Sequence, residues 1–173
     1  MTVKEAVNVR KSVRSYTGEA LEQDALDALL LAAKSAPVAM GKYENIHLTV
    51  IRNKELLDEL DKNAAEFFGD SSIHPLYGAP ALILISGPTS DRMSVPNAAF
   101  IIQTMALRAV ELGLGQVDIY GAIAALGGKD ALIEKLGLPE GFSPLAALAV
   151  GKSDETYTAR DIPADRIGVN YVD

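Results

Sequence analysis

The sequence predicts an α+β fold in which helices surround a central sheet, and three observations carry that expectation. Helical and extended hydrophobic periods alternate along a chain of 173 residues, long enough for one domain with a substantial core spanning 1–173. One helical stretch, residues 94–112, is apolar nearly all round, which only an enclosed position tolerates, so it is either the core helix or an interface helix. Two short runs, 81–85 and 145–150, are continuously apolar in the manner of buried strands.

The elements follow in order. Thr2 and Glu5 form a capping-box pattern that starts a short helix reaching about Arg10. A longer helix spans Glu19 to Ala36, with Leu26, Leu29, Leu30 and Ala33 on one face and Pro37 enforcing the stop. Ile46 to Ile51 is rich in β-branched residues and reads as a strand. Asn53 caps a helix carrying Leu56, Leu57, Leu60, Ala64, Phe67 and Phe68, which Gly69-Asp70-Ser71-Ser72 breaks. Pro80 opens the strand Ala81 to Ile85, and the apolar helix Ser94 to Leu112 ends at Gly113-Leu114-Gly115. A short extended piece, Gln116 to Ile119, precedes a helix over Lys129 to Leu136 closed by Gly137. Leu145 to Val150 is the last core strand. Beyond Gly151 little can be buried until Ile167 to Val172, whose alternation suggests a strand added to a sheet edge, in this chain or a second subunit.

Composition excludes several classes of function. The 16 basic residues against 23 acidic ones leave a net charge of −7, and no Lys/Arg run exists to neutralise a row of phosphates, so nucleic acid is not expected as a partner. The absence of cysteine removes disulfides, thiolate metal sites, iron–sulfur clusters and a Cys nucleophile. The N-terminus lacks the basic-then-apolar pattern of a leader, and the longest apolar run, Ala98 to Ala106, is interrupted and too short to span a bilayer. A cytoplasmic protein without membrane association is expected. His47 and His74 lack metal-binding spacing and read as structural residues; GxSxG and Walker A motifs are absent, and Asp118 breaks a GxGxxG pattern begun by Gly113 and Gly115.

What stands out is Arg10-Lys11-Ser12-Val13-Arg14-Ser15-Tyr16, directly after the first helix. In an extended segment the side chains at 10, 12 and 14 project to one side, so two guanidiniums and a hydroxyl can converge on a phosphate. The alternative is a solvated basic face paired with the chain's excess carboxylates.

This segment resembles the opening of the nitroreductase family, the FMN-dependent NAD(P)H oxidoreductases. The resemblance continues through Ser35-Ala36-Pro37, Tyr77-Gly78-Ala79-Pro80, Glu111-Leu112-Gly113-Leu114-Gly115 and Leu136-Gly137-Leu138-Pro139-Glu140-Gly141, and on to Gly151 and Arg160-Asp161-Ile162-Pro163. It implies that Arg10, Ser12 and Arg14, with Lys11 beside them, bind the FMN phosphate and ribityl chain. Arg160, with Lys152 behind it, would complete the phosphate site, although either suits a surface charge equally. Tyr120-Gly121 would lie against the flavin ring, with the Gly121 N–H as donor; the plain reading is a turn before a helix. The loop Pro37 to Asn45 departs from the family's Asn-Gln-Pro-Trp pattern, so its ring contacts would come from the backbone and apolar atoms of Val38, Ala39 and Met40. The usual substrate lid is reduced to a loop around Ser71 to His74.

The resemblance further implies a mainly antiparallel sheet wrapped by helices, and a homodimer with FMN at the subunit interface and the C-terminal tail exchanged. NADH or NADPH would deliver electrons through FMN to a small-molecule acceptor, nitroaromatic or quinone, by ping-pong kinetics without a side-chain nucleophile. Two other classes stay open: a flavin carrier or redox sensor without turnover, and an anion-binding module gripping a different phosphate or an acidic partner.

Overall fold

A computed structural model describes residues 1–173. Its four-stranded sheet has the order β1-β2-β4-β3, with every neighbouring pair antiparallel. The strands are β1 (His47–Ile51), β2 (Ala81–Pro88), β3 (Gly115–Ile119) and β4 (Phe142–Gly151). The two central strands are buried on both faces, and Ile83 opposes Leu148 at the middle of their ladder. A register shift at Ile85/Ser86 lets Pro144 sit inside β4, the kind of irregularity at which proline is tolerated in a sheet. Consequently β4 begins earlier than the apolar run at Leu145 suggests.

Helices α1 (Val3–Val9), α2 (Gln23–Ser35) and α4 (Ser94–Glu111) adjoin α3 (Lys54–Phe68), α5 (Gly121–Ala124) and α6 (Asp130–Lys135) around the sheet. Odd-numbered β2 residues Ile83 and Ile85 pack with Leu29, Ile101 and Met105 of α2 and α4, while Leu82 and Leu84 pack with Leu57, Leu60 and Ala64 of α3. Burying each such side chain contributes about 1.5–3 kcal/mol, so the strand's period of two organises both cores.

The expected caps form. Thr2 Oγ1 accepts from the Glu5 amide while Glu5 returns a carboxylate to the Thr2 amide at 2.7 Å. Asn53 Oδ1 accepts from the Leu56 amide at 2.8 Å, and Gly69 ends α3 at φ 74°. Helix α2 starts at Gln23, later than the predicted Glu19, with no side-chain cap at Glu22. Two 3₁₀ turns, Ala39–Gly41 and Tyr43–Asn45, occupy the loop that follows it.

Two expectations are corrected. Helix α4 is not enclosed all round: Ala98, Ile101, Ile102, Met105 and Ala106 are buried, but Val95 and Phe100 are more than half exposed. The segment 167–172 forms no strand, and Ile167, Val169, Tyr171 and Val172 all face outward. Its alternation finds no ladder in this chain; residues 11–17 flank the outer edge of β3, where the Val13 amide donates to Gln116 O at 2.8 Å. The first half of the tail does find a surface. Thr17 N donates to Lys152 O, and Tyr157 Oη donates to Leu114 O at 2.8 Å.

Candidate functional site

The segment after α1 is held by bonds to β3 and to the tail. Gln116, fully buried, donates Nε2 to Lys11 O at 2.8 Å, and Val13 is fully buried against Gly115. A Cβ on Gly115 would stand 2.8 Å from Val13 Cγ1 and from Ser153 Cβ, so glycine there admits both chains to the strand. On the tail side Ser153 Oγ donates to Ser15 O at 2.7 Å, and Glu155 binds twice. Its Oε2 accepts from Lys11 Nζ at 2.8 Å and its Oε1 from the Arg14 amide at 2.9 Å. The Lys11 hydrogen bond, and then that of the Arg14 amide, hold the Glu155 carboxyl below its ordinary range.

The predicted basic residues divide by what they touch. Lys11 pairs with Glu155, and Lys152 with Glu19 at 2.6 Å, an exchange that lowers the Glu19 pKa and raises that of Lys152. Arg160 donates Nε to Asn8 O at 2.7 Å and Nη2 to Val7 O at 3.0 Å, so it satisfies carbonyls at the end of α1. Arg10 and Arg14 form no ion pair at all, in a chain rich in carboxylates. Arg10 Nη1 is buried without a hydrogen-bond partner, and Arg14 stands over the Tyr77 ring, 5.8 Å from its centroid. Arg10 lies beside Asp118, whose pKa burial raises and Arg10 partly restores. Ser12 is half-buried.

Arg14 opens onto a cavity of about 1010 Å³, at the upper end of ligand-sized pockets. Leu57, Phe68, Leu76 and Ala79 give it an apolar wall, and Arg52, Lys54, His74, Asp58 and Asp61 a polar one. Of the candidate cofactor-binding residues only Arg14 lines it, together with the Tyr77-Gly78-Ala79-Pro80 motif and His74 of the short loop. Tyr120 is exposed as the N-cap of α5, and Gly121 lies under Phe68, which itself lines the cavity. Val38 to Met40 lie elsewhere. Val38 belongs to the core on the α4 face, and the Ala39 amide donates to Asn97 Oδ1 at 3.0 Å, near the start of α4. Met40 is exposed at φ 55°.

Sequence reading missed Glu155, Tyr77, Phe68 and the Asp61–His74 pair, joined at 2.8 Å. Tyr77 had a signal: it precedes Gly78 in the Tyr-Gly-Ala-Pro motif, and both take positive φ, 55° and 71°. A non-glycine residue there is strained, as residues at binding sites often are. Glu155 and His74 had none, since their partners are 144 and 13 residues away.

Fold and site together define an α+β sheet protein in which one arginine without an ion pair, Arg14, lines a ligand-sized cleft and a second, Arg10, has a buried nitrogen without a partner. The model of the Nitroreductase family matches residues 7–152, and the chain belongs to that family. It is 28% identical to a Methanothermobacter thermautotrophicus protein provisionally named NADH dehydrogenase/NAD(P)H nitroreductase, over 96% of this chain and 86% of that one. It is 29% identical to the FMN reductase (NAD(P)H) of Bacillus subtilis over 82% of its own length, and spans 61% of that protein. Its fold matches a crystal structure of a nitroreductase with bound FMN from Bacteroides fragilis with a TM-score of 0.85 at 25% identity, covering 99% of this chain and 100% of that one.

Proposed function

We propose that the protein is an FMN-dependent oxidoreductase that takes electrons from NADH or NADPH and passes them to a small organic acceptor of nitroaromatic or quinone type. The observation that carries the reading is that Arg10 and Arg14 form no ion pair in a chain of net charge −7, with Arg10 Nη1 buried and unsatisfied even with Asp118 nearby. Leaving a buried donor unmade costs about 1–3 kcal/mol, which an anion at this place recovers. Arg10, Ser12 and Arg14 would hold the FMN phosphate, and Tyr77, Phe68 and the Gly121 backbone would border its ring. FMN, when bound, supplies the two-electron chemistry. The chain's own part is to bind, to orient and to surround the ring with apolar wall. Donor and acceptor would use one cleft in turn, giving ping-pong kinetics.

The working unit in this reading is a homodimer with exchanged tails. Ala39 is tied to the start of α4 through Asn97, whereas Val13 packs at Gly115, just beyond its other end. The intervening helix of 18 residues is about 27 Å long at about 1.5 Å per residue, so in this reading loop 38–40 and segment 10–14 of one chain do not share a flavin. A second copy brings its loop to the first copy's arginines. The outward Val95 and Phe100 of α4, and the outward apolar residues of 167–172, are the surfaces such a pairing would cover. No helix is long and apolar enough to cross a membrane.

The absorption spectrum of the purified protein tests the cofactor, and anaerobic addition of NADH or NADPH tests turnover. A yellow protein bleached by either donor and recoloured by a quinone is expected. A colourless protein that ignores added FMN overturns the reading, and a yellow one that neither donor bleaches reduces it to flavin binding alone.

A further inference from the structure

Lys11 stands inside the basic opening segment, yet its ammonium is turned to the tail. Its partner Glu155 is fixed from three directions: by Lys11 Nζ, by the Arg14 amide, and through its own amide, which donates to Ser153 Oγ at 3.0 Å. Ser153 in turn donates to Ser15 O. The turn 153–155 is thus mounted along residues 11–15, with a carboxylate at its centre. Lys11 and Glu155 are each about one-third exposed, at 37% and 31%. A phosphate bound at Lys11 would also lie against that carboxylate, and like charges at such range repel. The Arg14 guanidinium, by contrast, sits over Tyr77 at the cavity and forms no ion pair.

From this we infer that Lys11 is not a phosphate ligand, and that Lys11 and Glu155 form a strut that positions the segment so that Arg10, Ser12 and Arg14 receive the FMN phosphate. The inference rests on the FMN reading above. Glu155 is a positioning residue. It neutralises Lys11 and fixes the Arg14 backbone, so that the side turned away from Glu155 is the favourable one for an anion.

Flavin titrations of the full-length protein, with FMN and with riboflavin, test it on the wild type, Lys11→Met, Glu155→Gln, Glu155→Ala and the double variant Lys11→Met/Glu155→Gln. Riboflavin lacks the phosphate, so positioning of the clamp affects FMN alone, whereas general loosening weakens both. We expect FMN affinity to fall about tenfold in Lys11→Met and in Glu155→Ala, the scale of one charged hydrogen bond. A smaller loss is expected in Glu155→Gln, which keeps an acceptor for the Arg14 amide. The double variant should be about as weak as Lys11→Met alone, with riboflavin affinity unchanged throughout. Tighter FMN binding in either Glu155 variant overturns the inference, because it shows Glu155 competing with phosphate for Lys11. So do parallel losses for riboflavin, fully multiplying single effects, or FMN affinities that do not change. A wild type that binds neither flavin overturns the FMN reading itself and takes the strut with it. An FMN-binding wild type with unaffected variants overturns the strut alone.

Discussion

Gly121 and Phe68 are in contact so close that no side chain fits between them: a Cβ on Gly121 would stand 2.7 Å from Phe68 Cζ. The first helical residue of α5 therefore meets the last residue of α3 through bare backbone, beside the cavity.

Gly121→Ala should leave the protein folded, because the obstacle is the far end of a half-exposed ring that can swing away. Gly151→Ala should not be so mild. There the new Cβ meets the rigid ring of Pro80 at 2.5 Å, and overpacking of this kind costs about 1–3 kcal/mol or more. Thermal melts of the two variants decide it, with the larger drop in melting temperature expected for Gly151→Ala and the larger drop in flavin affinity for Gly121→Ala.

Arg14→Ala should weaken FMN binding by about 1.5–3 kcal/mol while shifting stability little, since it removes a charged donor that no carboxylate engages. Equal FMN affinity in variant and wild type, read by fluorescence titration, would remove Arg14 from the phosphate site.

Asp118→Asn should stabilise the protein at neutral pH, but only slightly, because Asp118 reaches solvent on β3. Burial raises the Asp118 pKa in the folded state, so the native protein holds this proton more tightly than the unfolded chain. Its contribution is favourable below the unfolded value of about 3.9 and is lost as pH rises through the raised folded value. Melting temperatures followed from pH 3 to 8 should diverge between variant and wild type as the pH climbs, and a constant difference across the range would contradict the assignment.

Removing residues 152–173 should lower FMN affinity and dissociate the dimer together. The segment supplies Ser153 and Glu155 to the 11–15 backbone and Arg160 to the end of α1, and it carries the outward apolar residues beyond 167. Sedimentation velocity beside a flavin titration separates the outcomes. A truncated chain that stays dimeric and binds FMN normally shows the tail to be dispensable.

The parts of this fold legible in the sequence are those whose cause is local. Asn53 announces α3 because its side chain caps its own helix, and Pro37 marks the end of α2 because the residue before it, Ala36, turns extended. The buried strands are visible because burial on both faces leaves no polar residue in Ala81 to Ile85. The 3₁₀ turns at 39–45 escape, since Met40 takes a left-handed conformation that its sequence does not ask for. Of the candidate site, the arginines are legible in the sequence and the carboxylate is not. The residues 10–14 stand together in the chain, whereas Glu155 joins them only when the tail folds back beside α1 and β3. The strand pattern at 167–172 forms no strand within this chain, because alternation specifies two faces without specifying a neighbour.

The position of residues 11–17 beside β3 has a bearing on solubility. A sheet of four strands has two rims, and an uncovered rim is a template on which another chain can extend the ladder. At β3 that template is closed by the same residues that carry the arginines, through the bonds of Val13 and Gln116. Detaching residues 11–17 from β3 would therefore bare a strand rim, and variants that loosen this segment should aggregate from this side first.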